Sequence, residues 1–276
     1  MRECLLFSAA ILVLSTRLWA SSTTPFQLGQ QGGVIVPVML NGQGPFMLLL
    51  DTGASHSAIT DEVAAAIGAK AVAKSTVITT TGETLRTIVA IDRLSVGPVS
   101  AEHVLPSVVP ARAFGEERRI QGLIGQDVLA WLRYTLDFRR RTVEWHHTAP
   151  APRGTALALA FEHGRFLVSL PQEGRTLRLV PDSGAGAFVV YEFAGRTPFN
   201  IAETGRTAEL SSADASRAAR HVRLRELRLG DRIIRNLAAV AISRNEHQPA
   251  EGDGLLPLHL FERVTFDGPA RLLILG

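Results

Sequence analysis

The sequence predicts an all-β protein, mainly strands with a few short helices, built from two similar halves. Two observations predict this. Short apolar runs separated by Gly, Pro, Asn and Asp continue along most of the chain, which is typical of strands and turns. A motif also recurs at a fixed offset, which indicates an internal repeat. The length of 276 residues is compatible with two domains of about 100 to 150 residues each.

The repeat is defined by landmarks that occur in the same order in both halves. In one of these pairs, residues 91–97 and 224–230, the apolar alternation changes phase in both copies, which predicts a shared β-bulge. The matching segments are 48–54 with 179–185, 91–97 with 224–230 and 122–125 with 254–257, followed by Asp137 with Asp267, at offsets of 130 to 133 residues. Helical periodicity is confined to brief stretches such as 61–67 and 126–132.

Domain boundaries follow from the repeat and from composition. Residues 148–152 belong to a polar stretch with two prolines and no apolar period, so we expect a linker there. This places a first lobe at residues 24–147 and a second at 153–276.

Residues 1–22 have the pattern of a secretory signal peptide. Arg2 is followed by an apolar run from residue 5 to 14 and by small residues at 20–22. Cleavage after Ser22 would remove Cys4, the single cysteine, and would predict a secreted or periplasmic protein without stable membrane insertion. The alternative is an uncleaved N-terminal membrane anchor, with the rest of the chain facing outside the cytoplasm.

Composition excludes several classes of function. The 29 Lys and Arg residues nearly balance the 26 Asp and Glu residues, so no nucleic-acid partner is implied. Seven arginines between Arg217 and Arg235 alternate with apolar residues, which favours the solvated face of a strand pair. A single cysteine and scattered histidines give no metal-ligand spacing. We therefore expect no metal and no cofactor.

The chemistry-bearing motif is Asp51-Thr52-Gly53, repeated as Asp182-Ser183-Gly184. Each copy follows an apolar strand that should be buried, so the strand delivers its Asp to the edge of a packed half. The glycines allow a sharp turn without a Cβ in the way, and the hydroxyls can bond across to the facing loop. Two carboxylates about 3 Å apart in a partly desolvated cleft share a proton and titrate as a pair.

With these motifs, and with the Leu123-Ile124-Gly125 segment, the chain resembles a clan AA aspartic protease with two retropepsin-like lobes fused in one chain, as in bilobal pepsin-type enzymes. The resemblance implies two β-barrel lobes related by a pseudo-twofold axis, with Asp51 and Asp182 as the catalytic dyad. It implies supporting roles for the rest of both loops, namely Thr52, Gly53, Ser55, Ser183 and Gly184.

A hairpin is predicted around residues 79–84, with its turn near Gly82 and Glu83. The resemblance implies that Thr81, Gly82 and Glu83 form a flap over an extended peptide or protein substrate. The flap has no tyrosine, because the only two are Tyr134 and Tyr191.

Three departures from the motif fall in the second half. Pro181 precedes Asp182 and removes a backbone donor, Pro257 occupies the position of Gly125, and Gly186 occupies that of Ser55. We expect a monomeric aspartic endopeptidase. One alternative is a catalytically silent peptide-binding module on the same fold. Another is a homodimer that pairs Asp51 from two chains.

Overall fold

The computed structural model describes residues 22–79, 82–114, 117, 119–149, 153–172, 174–193, 196–211, 216–244 and 252–276. The predicted signal peptide lies outside these residues except for Ser22, and the predicted linker is described only at residues 148 and 149. In the described part of the chain, no helix is long and apolar enough to cross a membrane.

The chain is mostly β with short helices, as predicted. The strands up to residue 149 are β1 (Thr23–Pro25), β2 (Gln27–Leu28), β3 (Val34–Leu40), β4 (Gln43–Leu50), β5 (Ala58–Thr60), β6 (Lys70–Thr79), β7 (Gly82–Val96), β8 (Val99–Val104), β9 (Ser107–Val109), β10 (Gly122–Ile124), β11 (Arg133–Asp137) and β12 (Thr142–Trp145). The helices of this half are α1 (Asp61–Ala66), α2 (Gln126–Leu129) and a 3-10 turn at Ala111–Phe114.

The second half contains ten strands among its described residues and one 3-10 turn, at Leu258–Leu260. The strands are β13 (Thr155–Glu162), β14 (Arg165–Gln172), β15 (Arg175–Asp182), β16 (Phe188–Phe193), β17 (Ile201–Ser211), β18 (Ser216–Leu229), β19 (Arg232–Arg244), β20 (Gly254–Pro257), β21 (Arg263–Asp267) and β22 (Leu272–Leu275).

The same strand pairings occur in both halves. In the first half β4 is parallel to β10, β10 is antiparallel to β5, and β5 is parallel to β9. In the second half β15 is parallel to β20, β20 is antiparallel to β16, and β16 is parallel to β19. Leu50 pairs with Ile124, and Pro181 with Leu256. Each strand that precedes an Asp of the repeated motif is therefore an inner strand with neighbours on both sides.

The predicted β-bulge in the 91–97 and 224–230 segments is wrong. The ladder between β7 and β8 keeps its register from Ile91 to Val96, as does the ladder between β18 and β19. Instead, His103 and Asn236 on the partner strands both adopt a positive φ of 55°. Each ladder skips the pair at this residue, Asp92 with His103 and Arg225 with Asn236, and continues in the same register beyond it, so the apolar phase shifts without an extra residue.

The two halves are joined by a shared antiparallel sheet. Strand β11 pairs with β21, so that the local order is β1-β12-β11-β21-β22-β13. The Oγ1 atoms of Thr135 and Thr265 lie 2.7 Å apart, and the rings of Tyr134 and Phe266 stack with centroids 5.2 Å apart. The main hydrophobic core includes buried side chains from both halves, so neither half packs independently of the other.

Two reciprocal ion pairs cross this sheet. Arg133 Nε donates to Asp267 Oδ1 at 2.9 Å, and Arg263 Nη1 donates to Asp137 Oδ2 at 2.6 Å. Both carboxylates are buried and each also accepts a backbone N–H of its own turn. Burial makes these hydrogen bonds costly to break, because a buried polar group left without its partner keeps its desolvation penalty.

The arginine-rich stretch lies on β18 and β19, where its side chains alternate with buried apolar residues as predicted. Several of these arginines are paired with acidic residues. Arg220 bonds Glu192 at 2.7 Å and also Glu203, while Arg228 and Arg235 both approach Glu226. The positive charge of these arginines is therefore partly compensated by glutamates of the same sheet.

Replacing Asp137 by Ala should lower the free energy of unfolding by about 1 to 3 kcal/mol, because Arg263 and the backbone N–H of Arg140 lose a buried acceptor. Urea denaturation measures the change. The control is Arg139→Ala at an exposed position of the same turn, which should be near neutral. Equal stability of the two variants would contradict a structural role for the ion pair.

Candidate active site

The two aspartates of the repeated motif are delivered by equivalent strands. Strand β4 ends at Leu50, and the backbone N–H of Asp51 donates to Ile124 on the neighbouring parallel strand at 3.0 Å. Strand β15 ends at Asp182 itself, opposite Pro257. The buried, doubly paired strands hold the start of each loop in place, so the carboxyl groups begin from fixed backbone positions.

The two loops are joined by hydrogen bonds that each half donates to the other. Thr52 N donates to Ser183 Oγ at 3.1 Å, and Ser183 N donates to Thr52 Oγ1 at 2.9 Å. The hydroxyls then donate onward: Thr52 Oγ1 to the carbonyl of Pro181 at 2.8 Å, and Ser183 Oγ to the carbonyl of Leu50. Both side chains are buried, so this exchange fixes the relative position of the loops.

Each carboxylate is held by the backbone of its own loop. Asp51 Oδ1 accepts from the N–H groups of Gly53 and Ala54 at 2.9 and 3.1 Å. Asp182 Oδ1 accepts from Gly184 and Ala185 at 2.7 and 3.0 Å. In each carboxyl the backbone N–H groups of the loop therefore bond Oδ1 and not Oδ2.

The glycines of the motif lie against the opposite carboxyl. A Cβ on Gly53 would lie 2.5 Å from Cγ of Asp182, and a Cβ on Gly184 would lie 3.0 Å from Cγ of Asp51. A distance of 2.5 Å is a severe overlap for two carbon atoms. The small residues are therefore required because the other half's aspartate occupies the space that a side chain would need.

The electrostatics of the pair follow from burial and proximity. Burial, followed by the negative charge of Asp51, raises the pKa of Asp182 to about 8, although the two backbone N–H groups and Arg165 act to lower it. Burial also raises the pKa of Asp51, which the Gly53 N–H, Arg165 and a hydrogen bond with Asp182 oppose. The two groups therefore titrate together, and one proton is retained near neutral pH.

The first loop is also supported by residues that the sequence analysis did not single out. Gln126 Nε2 donates to the carbonyl of Thr52 at 2.8 Å. Ser57 Oγ donates to Asp127 at 2.8 Å and accepts from Gly125 N at 3.1 Å. These residues lie next to the two matched motifs in the sequence, and this proximity could have identified them. The repeat did not, because the second copy does not have the same side chains at the equivalent positions.

The three departures in the second half leave the contacts between the two loops in place. Pro181 keeps its carbonyl, which accepts from Thr52. A Cβ on Gly186 would lie 2.2 Å from the carbonyl oxygen of Gln31, so glycine is needed there for close packing. Pro257 is buried and extended, with φ of −70°, just before the 3-10 turn.

The structure brings six of the predicted site residues together: Asp51, Thr52, Gly53, Asp182, Ser183 and Gly184. Ser55 lies in the same loop, with its Oγ 3.0 Å from the His56 ring. Gly82 and Glu83 begin β7 and pair with Thr79 and Ile78, whereas Thr81 lies outside the described residues. Over the described part of the chain, no cluster of His, Cys, Asp and Glu could hold a metal ion.

Replacing Thr52 by Val should destabilise the protein by about 1 to 3 kcal/mol for each of the two groups left unpaired, the Ser183 N–H and the Pro181 carbonyl. Thr52→Ser should restore most of the stability because it restores the hydroxyl. The comparison is urea denaturation beside Thr76→Val on exposed β6. A Thr52→Val variant as stable as this control would show that the exchange is not a major contact.

Replacing Asp182 by Asn should stabilise the protein increasingly between about pH 4 and pH 8. The raised pKa means that folding favours protonated Asp182; this contribution is complete below the ordinary value of 3.8 and is lost as pH approaches about 8. Asn resembles the protonated acid and does not titrate. Unfolding free energies at several pH values measure the difference, with exposed Asp92→Asn as control. A pH-independent difference would contradict the raised pKa.

Residues 36–128, about a third of the chain, match the family model for aspartyl protease. This segment includes Asp51 and the Leu123-Ile124-Gly125 segment but not Asp182. Comparison with curated proteins finds no match. Among solved structures, a crystal structure of a retropepsin-like aspartic protease from Rickettsia conorii is similar, with 18% identity, a TM-score of 0.33, and coverage of 44% of this chain and 86% of that chain.

Proposed function

We propose that the chain is an aspartic endopeptidase that hydrolyses peptide bonds with a water molecule activated by Asp51 and Asp182. The observation that carries the proposal is the close approach of the two motifs, in which each glycine lies against the opposite carboxyl. The family match of the first half supports the same class of reaction. The sequence repeat extends the argument to the second half, where the equivalent aspartate lies in an equivalent loop.

The reaction uses the single proton that the pair retains. The ionised carboxylate takes a proton from the water as its oxygen attacks the carbonyl carbon, and the protonated partner gives its proton to the carbonyl oxygen. The resulting tetrahedral intermediate collapses as the newly protonated carboxyl gives its proton to the amide nitrogen, a hydroxyl of the intermediate gives its proton to the other, ionised carboxylate, and the C–N bond breaks. The pair then holds one proton again, so no group is consumed.

An extended peptide is the proposed substrate. Strands β6 and β7 form an antiparallel hairpin, and β6 is the edge strand of its sheet. An edge strand can pair with an extended chain through backbone hydrogen bonds. Val72 and Leu85 on this hairpin are exposed and offer apolar contact. The flap role of Thr81, Gly82 and Glu83 remains part of this proposal.

The proposal includes two lobes, at residues 24–147 and 153–276, that contribute one carboxyl each. The repeated strand pairings support this division. It also includes a location outside the cytoplasm, for which the pattern of residues 1–22 is the support.

The silent binding module is the less favoured alternative. It was based on Pro181, Gly186 and Pro257, of which Gly186 is required by the close approach of the Gln31 carbonyl and Pro181 keeps the carbonyl that accepts from Thr52. None of the three replaces a group that bonds a carboxylate in the first loop, where the donors to Asp51 are the backbone N–H groups of Gly53 and Ala54.

The homodimer alternative requires Asp51 to face Asp51 of a second chain. That arrangement would require the exchange between Thr52 and Ser183 to be given up, because Ser183 already occupies the facing position. It would also leave Asp182 without its partner. The intramolecular pair therefore favours a monomer as the active unit.

Asp51→Asn and Asp182→Asn should each reduce kcat/KM on a mixed peptide library by several orders of magnitude, because the pair needs one base and one acid. In the parent protein kcat/KM should fall above about pH 8, where the last proton of the pair is lost, and also in strong acid, where both carboxyls are protonated. Mass spectrometry of the products measures cleavage. Asp92→Asn is the matched control.

The outcomes separate the alternatives. Activity that survives in Asp182→Asn but not in Asp51→Asn would favour the homodimer. Peptide binding by the parent without cleavage at any pH would favour the silent module.

A further inference from the structure

The hairpin between β13 and β14 reaches across to the first aspartate loop. It belongs to the second half, and its turn contains Gly164, which has φ of +76°. A Cβ at Gly164 would lie 3.1 Å from Cβ of Ser55. The tip of this hairpin is therefore packed against the loop that carries Asp51.

Arg165 is the first residue of β14 after this turn. Its side chain is partly buried, and its Nε atom is buried from solvent. Strand β14 runs beside β15, which ends at Asp182. Arg165 therefore lies on the strand next to the one that ends at Asp182, directly after a turn that packs against the loop of Asp51.

The first half has a glycine at the equivalent position. The pairing of Val168 with Leu179 repeats that of Val36 with Leu48, and three residues earlier in the chain lie Arg165 and Gly33. A Cβ on Gly33 would lie 3.8 Å from Cα of Gly184. This position therefore faces the aspartate loop of the opposite half, and only one half places a positive charge there.

The charge of Arg165 acts on both members of the pair. It lowers the pKa of Asp51 and of Asp182 against the effect of burial. The other titratable and charged side chains on the elements around the pair are His56, Asp127, Glu162, His163, Arg175, Arg178 and His259. Glu162 is exposed and already bonded to Arg178 at 2.5 Å. Among the described residues, Arg165 is the cation that lowers the pKa of both aspartates.

We propose that Arg165 sets the pH range in which the pair holds a single proton, as a fixed charge that one half supplies to both carboxyls. Arg165 is a positioning residue for the proton and takes no part in bond breaking. The inference deepens the proposed function and rests on it for its effect on catalysis. Its effect on protonation is independent of whether a peptide is cleaved.

The test replaces Arg165 by Gln and by Lys in the full chain. The Gln variant should raise both apparent pKa values of the pair by about one unit, the size expected for one charge acting in a partly water-excluded cleft. The Lys variant should stay close to the parent. Arg175→Gln, an exposed change on β15 with the same loss of net charge, should leave both values unchanged.

Two readouts are needed. Carbon-13 NMR of labelled aspartate side chains follows the pair directly, with the signals assigned by loss in Asp51→Asn and Asp182→Asn. The pH dependence of kcat/KM should move to higher pH by the same amount in the Gln variant. Urea denaturation confirms that each variant is folded.

The two proposals fail differently. If the NMR titration of Arg165→Gln equals that of the parent, or equals that of Arg175→Gln, the Arg165 inference is overturned even if peptides are cleaved. If the titration shifts as expected but the parent cleaves no peptide, the inference stands and the endopeptidase proposal fails. A shift of equal size in the Lys variant would also overturn the inference, because the charge is then not the cause.

Discussion

The exchange of buried hydrogen bonds between Thr52 and Ser183 is the contact on which the site depends. Each residue accepts from the backbone of the other half and donates to a carbonyl directly before the opposite aspartate. The four bonds therefore link the ends of two strands. Any displacement of one half would leave buried polar groups unpaired, which is costly, so the carboxyls are kept at a fixed separation.

This arrangement places two acids where neither is easily ionised, and the cost must be offset elsewhere. Locally, four backbone N–H groups bond the carboxylates. At a distance, the sheet formed by β11 and β21 binds the halves through reciprocal arginine–aspartate pairs and a shared core. The stability of that sheet lets the site keep a pair of carboxyls that resist ionisation.

Sequence alone predicted the strand-rich fold and the positions of Asp51 and Asp182, because a repeated motif after an apolar run is a local pattern. It could not predict contacts between segments distant in sequence. Gly186 looked like a lost hydroxyl, and only the approach of the Gln31 carbonyl explains it. The β-bulge was mispredicted because a phase shift along one strand does not reveal the structure of the partner strand. Opposite the shift, the partner strand has a residue with positive φ, His103, and no extra residue is inserted.

The surroundings of the two aspartates differ although their loops match. The first loop is supported by side chains, through Gln126 and the pair of Ser57 and Asp127. Beside the second loop, the parallel strand β20 ends at Pro257, whose ring restricts φ and which has no N–H to donate. His259 follows two residues later, and burial lowers the pKa of its ring. Arg165 adds its charge from one side only. Unequal surroundings separate the proton affinities of two like groups, and the proposed reaction depends on that separation, because it needs one carboxyl as base while the other remains an acid.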